Sequence, residues 1–325
     1  MSTKLLDPGP VAREIKESCR LEAGHLREAG IIPRLAIVRV GEKGPDLSYE
    51  KGAKKVMEET GIETVSFAWD AGISQEEYIR RFRDLNRDPA IHGILPLRPL
   101  DHIDENAAIS ANLSPEKDVD GGTPANIGRI LLGDEKGLFP CTAAAILAIM
   151  DYYADAVRWV RKNNSPFNAG NTGDVCRGLD VCIVNNSNVI GKPLLMMLTN
   201  RYATVSMVHH LSAEEDKRWI ASRADVLIAA TPVRNTVTAD MVKPGAFVVD
   251  ASVIREKLWD PAGYPILDEK TGKQKTGIFG CCTEEARQKA AYITPVRGMG
   301  AVTSAMLAKN VIRACRLQTS ETGKH

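Results

Sequence analysis

No run of this sequence approaches the roughly 18 consecutive apolar residues of a membrane span. The first residues, MSTKLLDPGPVAREIKESCR, turn charged too early for the apolar core of a signal peptide. CxxC spacing is missing as well. The seven cysteines (Cys19, Cys141, Cys176, Cys182, Cys281, Cys282, Cys315) are odd in number and scattered, the pattern of reduced thiols in a cytosolic protein. Nor does one sign of charge dominate: 42 Lys plus Arg stand against 41 Asp plus Glu, which removes the electrostatic footprint of a nucleic-acid or anionic-membrane binder. No internal repeat, low-complexity tract or GxGxxG fingerprint is present. These absences leave a cytoplasmic protein with a small-molecule partner, no nucleic acid and no membrane.

What is present is a chain of 325 residues, 44% hydrophobic and 26% charged, enough for two domains at roughly 100 to 200 residues each. Val11, Ile15 and Cys19 recur at helical spacing, and LAIVRV (35–40) then reads as a buried strand. Tyr49 to Thr60 is rich in helix formers and stops at Gly61, before strand TVSFAW (64–69). Ser74 and Glu77 form a capping box for a helix carrying Tyr78, Ile79, Phe82 and Leu85, followed by strand GILPL (93–97). This alternation predicts a parallel α/β sheet. Thr142 caps a further helix, and 161–178, rich in Asn, Gly and Ser, reads as a surface loop near a domain boundary. The second half resumes with strand DVCIV (180–184), a helix from Pro193, and strands at 204–208, 226–230 and 246–250, a Rossmann-like mononucleotide-binding pattern. The last helix spans 304–317 and can pack back on the first domain.

The turn VNNSNVIGKP brings Gly191 and Pro193 to a helix start whose free amides can hold a dinucleotide pyrophosphate. PEKDVDG (115–121), PCT (140–142), SNVIGKP (187–193), KPGAFVVD (243–250) and ITPVRGMG (293–300) follow in one order, after the helix bearing Tyr49. This set resembles the methylenetetrahydrofolate dehydrogenase/cyclohydrolase family over nearly the whole chain. The resemblance implies an α/β fold of two domains with a cleft between them: a folate-binding domain over 1–150, completed by the helix of 302–325, and a Rossmann-like NAD(P)-binding domain over 151–301. It also implies a homodimer, a nicotinamide cofactor and tetrahydrofolate as the substrate carrier.

The resemblance assigns catalytic positions to Tyr49 and Asp120. One carboxylate can accept both the ring N–H and the exocyclic amine that a pterin presents side by side; alternatively Asp118 or Asp120 caps a turn before Gly121 and Gly122, and Tyr49 is an aromatic on a buried helix face. The family's Lys and Gln positions are occupied by Ala53 and Leu97. Lys51, Lys54 and Arg98 stand nearby, but a step along a helix turns a side chain by about 100° and a step along a strand reverses it. Dehydrogenation needs mainly geometry, whereas hydrolysis of the methenyl cation needs an activated water and a proton donor. The sequence therefore implies a dehydrogenase whose cyclohydrolase activity is lost or weak; a bifunctional enzyme that recruits Lys54 and a non-catalytic folate-binding protein are the alternatives.

Arg297, Gly298 and Gly300 join the folate side by resemblance, with Arg297 replacing a Pro and the loop one residue shorter than the family pattern. The cofactor side comprises Thr142, Asn185, Asn186, Ser187, Gly191, His210, Val253 and Thr294. Asn185 replaces the family's first turn Gly, and the positions of a phosphate-binding Arg carry Asn186 and His210, which favours NAD over NADP, with His210 or Arg201 as remaining phosphate contacts. His209 and His210 lack metal-ligand spacing, no metal is expected, and adjacent Cys281 and Cys282 have no matched His for nucleophilic work.

Overall fold

The computed structural model describes residues 2–164, 173–269 and 271–322. Contacts divide the chain into two compact units, one of Gly9–Ala145 with Gly300–His325, the other of Met1–Pro8 with Ile146–Met299. The first eight residues, expected with the folate domain, group with the second unit instead: strand β1 (Lys4–Leu5) pairs in parallel with residues 292–293, Lys4 opposite Tyr292.

In the first unit, helix α1 (Pro8–Glu28) leads to strand β2 (Arg34–Val40), helix α2 (Gly44–Glu59), strand β3 (Glu63–Trp69), helix α3 (Gln75–Arg87) and strand β4 (Gly93–Pro96). The strands form a parallel sheet in the order β3-β2-β4. β2 is central, and from Leu35 to Val38 its side chains are buried on both faces, as its unbroken apolar run requires. Ser74 accepts a hydrogen bond from the Glu77 amide at 3.2 Å and starts α3. Tyr78, Phe82 and Leu85, at spacings of three and four, turn inward together. Trp69 meets Tyr78 edge-on with ring centroids 4.8 Å apart, and burying rings such as Tyr78 and Phe82 stabilises by roughly 1.5–3 kcal/mol each.

A short π-helical segment (Asn106–Ser110) precedes helix α4 (Pro124–Leu131). Helix α5 (Cys141–Tyr152) contains the unit boundary and begins one residue before Thr142, which lies in its first turn rather than at its cap. Helix α6 (Ala154–Asn164) takes up the start of the segment read as a loop; residues 165–172 lie outside the described residues.

The second unit continues with β5 (Asp180–Val184), α7 (Gly191–Asn200), β6 (Thr204–Val208), α8 (Glu214–Ala221), β7 (Val226–Ala229), β8 (Phe247–Asp250), a hairpin of β9 (Ile254–Lys257) and β10 (Thr276–Phe279), α9 (Glu284–Lys289) and β11 (Tyr292–Ile293). Its six-stranded parallel sheet runs β1-β11-β8-β7-β5-β6. The final helix, α10 (Met299–Thr322), starts five residues earlier than its apolar periodicity indicated. From it the buried Asn310 donates its amide to the Val119 and Phe139 carbonyls, both at 2.8 Å. No helix is long and apolar enough to cross a membrane among the described residues.

Candidate active site

In the first unit a pocket of about 350 Å³ opens between the start of α2 and the end of β4, lined by Pro45, Asp46, Tyr49, Leu95, Pro96, Leu97, Arg98 and Asp120. The two carboxylates of the DVD stretch divide the work there. Asp118 is buried and accepts from the amides of Gly121 (3.0 Å) and Thr123 (2.7 Å) and from the Asn126 side chain (3.0 Å). It is the residue that holds the turn. Asp120 is thereby left to face the pocket; desolvation, together with the Asp118 carboxylate beside it, raises its pKa to about 6, against the pull of Arg98. Gly121 has φ +72°, and a Cβ there would stand 2.5 Å from the Phe139 carbonyl carbon, so the turn beside Asp120 excludes any other residue.

Tyr49 projects from α2 into the same pocket and remains half-exposed, so it is not a core aromatic. Desolvation and the neighbouring Asp120 and Cys141 raise its hydroxyl pKa, which keeps it protonated. Ala53, one turn later, is buried and has no functional group; Leu97 lines the pocket with a hydrocarbon side chain. The nearby lysine is committed elsewhere. Lys54 Nζ lies 2.8 Å from Glu50 Oε1, while Glu50 Oε2 accepts from Arg39 at 3.0 Å and Ser66 donates to the same carboxylate. Burial raises the Glu50 pKa, but the Lys54 and Ser66 hydrogen bonds and the Lys54 and Arg39 charges outweigh it, and the carboxyl sits below its ordinary range.

The second unit holds a separate pocket of about 510 Å³ at the ends of β5, β6 and β7. Asn185, Asn186 and Ser187 line it from the β5–α7 turn, His209 and His210 from the end of β6, Lys217 from α8, and Thr231, Pro232, Val233 and Thr236 from the loop after β7. Asn185 shapes that turn: its Oδ1 accepts from the Ser187 amide at 2.8 Å and the Gly191 amide at 3.0 Å, and its Nδ2 donates to the Ala230 carbonyl at 2.6 Å. A Cβ at Gly191 would lie 2.3 Å from the Asn185 carbonyl oxygen, so the helix start can approach the strand only as glycine. The expectation of free amides at that helix start is corrected in part. Those of Ile190, Gly191 and Lys192 are taken by the Ser187 side chain, the Asn185 side chain and the Ser187 carbonyl. A lining that combines apolar Val184, Pro232 and Val233 with a few polar side chains suits the adenosine end of a dinucleotide.

Other residues read as cofactor contacts lie outside this pocket. Thr294 is fully buried, its hydroxyl accepting from the Asp250 amide at 2.9 Å and donating to the Asp250 carbonyl at 3.3 Å, so it fixes β11 against β8. Arg201 is bound to Asp151 (2.6 Å) and Asp174 (2.9 Å) and has no place in the pocket. Val253 is exposed and, like Thr294, does not line it; Thr142 is half-buried in α5. Arg297 is exposed, Gly298 packs at φ +112° where a Cβ would stand 3.0 Å from the Pro8 ring, and Gly300 lies in open space in the first turn of α10. Asp250, Cys281 and Cys282 cluster within 4.8 Å, but the Asp250 oxygens already accept the amides of Ser252, Cys281 and Cys282 and face Arg287 at 3.4 Å. A cation there would compete with every one of these donors. Sequence reading missed Lys217 and the loop residues Thr231, Pro232, Val233 and Thr236, which belong to no motif and reach the pocket only because α8 and the loop after β7 fold beside β6 and β5.

Residues 6–120 match the family model "Tetrahydrofolate dehydrogenase/cyclohydrolase, catalytic domain", and residues 170–319 match "Tetrahydrofolate dehydrogenase/cyclohydrolase, NAD(P)-binding domain". The chain is 36% identical over 318 residues to the "Bifunctional protein FolD" of Moorella thermoacetica, covering 97% of this chain and 100% of that one. It is similar to the crystal structure of the bifunctional FolD enzyme of Campylobacter jejuni (TM-score 0.81, 32% identity, 97% and 99% of the two chains). A Trypanosoma brucei methylenetetrahydrofolate dehydrogenase-cyclohydrolase complexed with NADP and inhibitor also matches (TM-score 0.80, 27% identity, 98% and 99%). With both of its units matched by these models, the chain belongs to the tetrahydrofolate dehydrogenase/cyclohydrolase family.

Proposed function

We propose that this protein is an NAD(P)-dependent 5,10-methylenetetrahydrofolate dehydrogenase in which methenyl hydrolysis is lost or weak. The observation that carries the proposal is a pocket holding Tyr49 and Asp120 but, at the positions of a proton relay, only Ala53 and Leu97. Asp120 accepts the paired N–H groups of the pterin and fixes its plane; Tyr49 covers the ring. The bound nicotinamide supplies the acceptor for the hydride that leaves the methylene carbon between N5 and N10. What remains is a delocalised methenyl cation, and no proton has moved. Hydrolysing that cation requires a group to deprotonate water and another to protonate the departing nitrogen. In the pocket Tyr49 is held protonated and Leu97 carries no polar atom, while Lys54 serves Glu50.

The names of the relatives favour a second reading, in which both activities persist. One cuvette separates the two: with 5,10-methylenetetrahydrofolate and NAD or NADP, reduced cofactor and methenyl product accumulate together in the first reading. Methenyl consumed faster than in buffer alone establishes the second. Folate binding without hydride transfer to either cofactor would leave a non-catalytic binding protein. We extend the proposal to a cytoplasmic homodimer, supported by the family resemblance and by seven free, buried cysteines; light scattering measures the mass.

The same assay has a defined pH dependence. Asp120 must be ionised to accept two N–H groups, and its pKa of about 6 means that it gains a proton as pH falls through that value. KM for the folate is therefore expected to rise below pH about 6, by about tenfold per unit once well below it. Arg98 holds the Asp120 value down, so Arg98→Gln moves the inflection to higher pH. A KM that stays flat across this range would remove Asp120 from the binding step.

A further inference from the structure

A further cavity of about 530 Å³ lies within the first unit and shares no lining residue with the folate-side or the dinucleotide pocket. Most of its lining comes from α10. Met306, Lys309, Arg313, Arg316 and Leu317 recur at spacings of three and four, so one helix face presents three cations flanked by two apolar side chains. Glu22 of α1 is the one carboxylate in the lining, and it is already paired with Arg316 at 2.9 Å. Arg313 is left uncompensated. Its guanidinium stands over the Phe139 ring, 5.3 Å from the centroid, and makes no ion pair or side-chain hydrogen bond among the described residues. Burial lowers its pKa, against the pull of Glu135 and Asp134. A cation partly withdrawn from water without a partner is costly, and a matching anion relieves that cost. The cavity is also joined to the folate side: Asn310, in its lining, donates to the carbonyls of Val119 and Phe139, on either side of Asp120 in the chain.

We propose that this cavity binds a small organic phosphate, a dianionic head on an aromatic or aliphatic body, as an effector of the folate site. The Arg313 fork takes the phosphate oxygens, Lys309 and Arg316 add charge on either side, and Phe139 with Met306 and Leu317 receives the body. Three cations against one carboxylate leave the charge of a dianion to be balanced. An occupant that holds Phe139 against α10 also holds the Asn310 tie, so the loop presenting Asp120 has less freedom to lose when folate binds. Folate and the phosphate then favour each other's binding.

Calorimetric titration of the full chain with benzyl phosphate, without folate or nicotinamide, tests the site; inorganic phosphate and benzyl alcohol are the controls. One benzyl phosphate is expected per chain, bound about tenfold more tightly than inorganic phosphate because the ring is buried, and benzyl alcohol is expected to show no saturable binding. Arg313→Gln should weaken the probe by about tenfold or more through loss of the charge-assisted bonds. Arg313→Lys, a charge without the fork, should fall between the two, and the exposed Lys309→Gln should cost about threefold. The same probe should lower KM for 5,10-methylenetetrahydrofolate by about fivefold in the parent enzyme and leave it unmoved in Arg313→Gln, whose KM without probe equals the parent's. No saturable binding, or unchanged affinity in folded Arg313→Gln and Lys309→Gln proteins, overturns the site. Binding that leaves KM unmoved overturns the effector role. The titration involves no turnover, so an absence of hydride transfer would count against the dehydrogenase reading alone.

Discussion

Replacing Asp120 with alanine is expected to lower kcat/KM for methylenetetrahydrofolate by about 10²–10⁴-fold while leaving the melting temperature nearly unchanged. The carboxylate accepts two N–H groups of the ligand, each charge-assisted hydrogen bond contributing roughly 1.5–3 kcal/mol. No bond of the turn depends on it, because Asp118 makes those. Asp118→Ala has the opposite signature: it leaves the buried Thr123 amide without its acceptor, at about 1–3 kcal/mol, and takes one of two acceptors from the Gly121 amide and the Asn126 side chain, which keep the carbonyls of Asp118 and Pro115. The measurements are steady-state kinetics and thermal unfolding on both variants. An Asp120→Ala enzyme with KM and kcat within twofold of the parent would show that the pterin is held elsewhere.

Installing Ala53→Lys and Leu97→Gln together is expected to raise methenyl hydrolysis by about 10²–10⁴-fold, the usual span of general acid–base catalysis. Position 53 lies four residues after Tyr49, so a side chain there rises on the same helix face, and position 97 already opens into the pocket. Lys54 cannot substitute, since it points one step around the helix and is tied to Glu50. The double variant loses some stability, because a buried alanine and a buried leucine become polar. The rate of loss of methenyl absorbance, compared with buffer, checks the gain. A parent enzyme that already hydrolyses rapidly, or a folded double variant that gains nothing, would each remove these two positions from the account.

Local signals carried much of the architecture. The apolar run of LAIVRV became the buried central strand β2, and the Ser74 cap with its Tyr78, Phe82 and Leu85 stripe became α3, because each is decided by neighbours within one or two turns. Strand β1 was not legible: it is two residues long and gains its partner from Tyr292, on the other side of the chain. The β9–β10 hairpin was missed for a related reason, since IREK shows no apolar alternation: only Ile254, opposite Phe279, turns into the core. In the site, the resemblance picked Asp120 of the DVD stretch for the substrate but left open whether Asp118 or Asp120 caps the turn. That choice is made by the Gly121 and Thr123 amides, which converge on Asp118.

The tie from Asn310 to the Val119 and Phe139 carbonyls bears on the order in which this protein can be made. Those two carbonyls bracket the loop that presents Asp120, and their donor lies about 170 to 190 residues further along the chain. On a ribosome adding about 5–20 residues per second, the folate-side unit waits on the order of ten seconds or more for its last helix, while Ile146–Met299 emerges and can fold in between. A nascent chain arrested before Asn310 would therefore carry its Asp120 loop without that brace, exposed to chaperones and proteases.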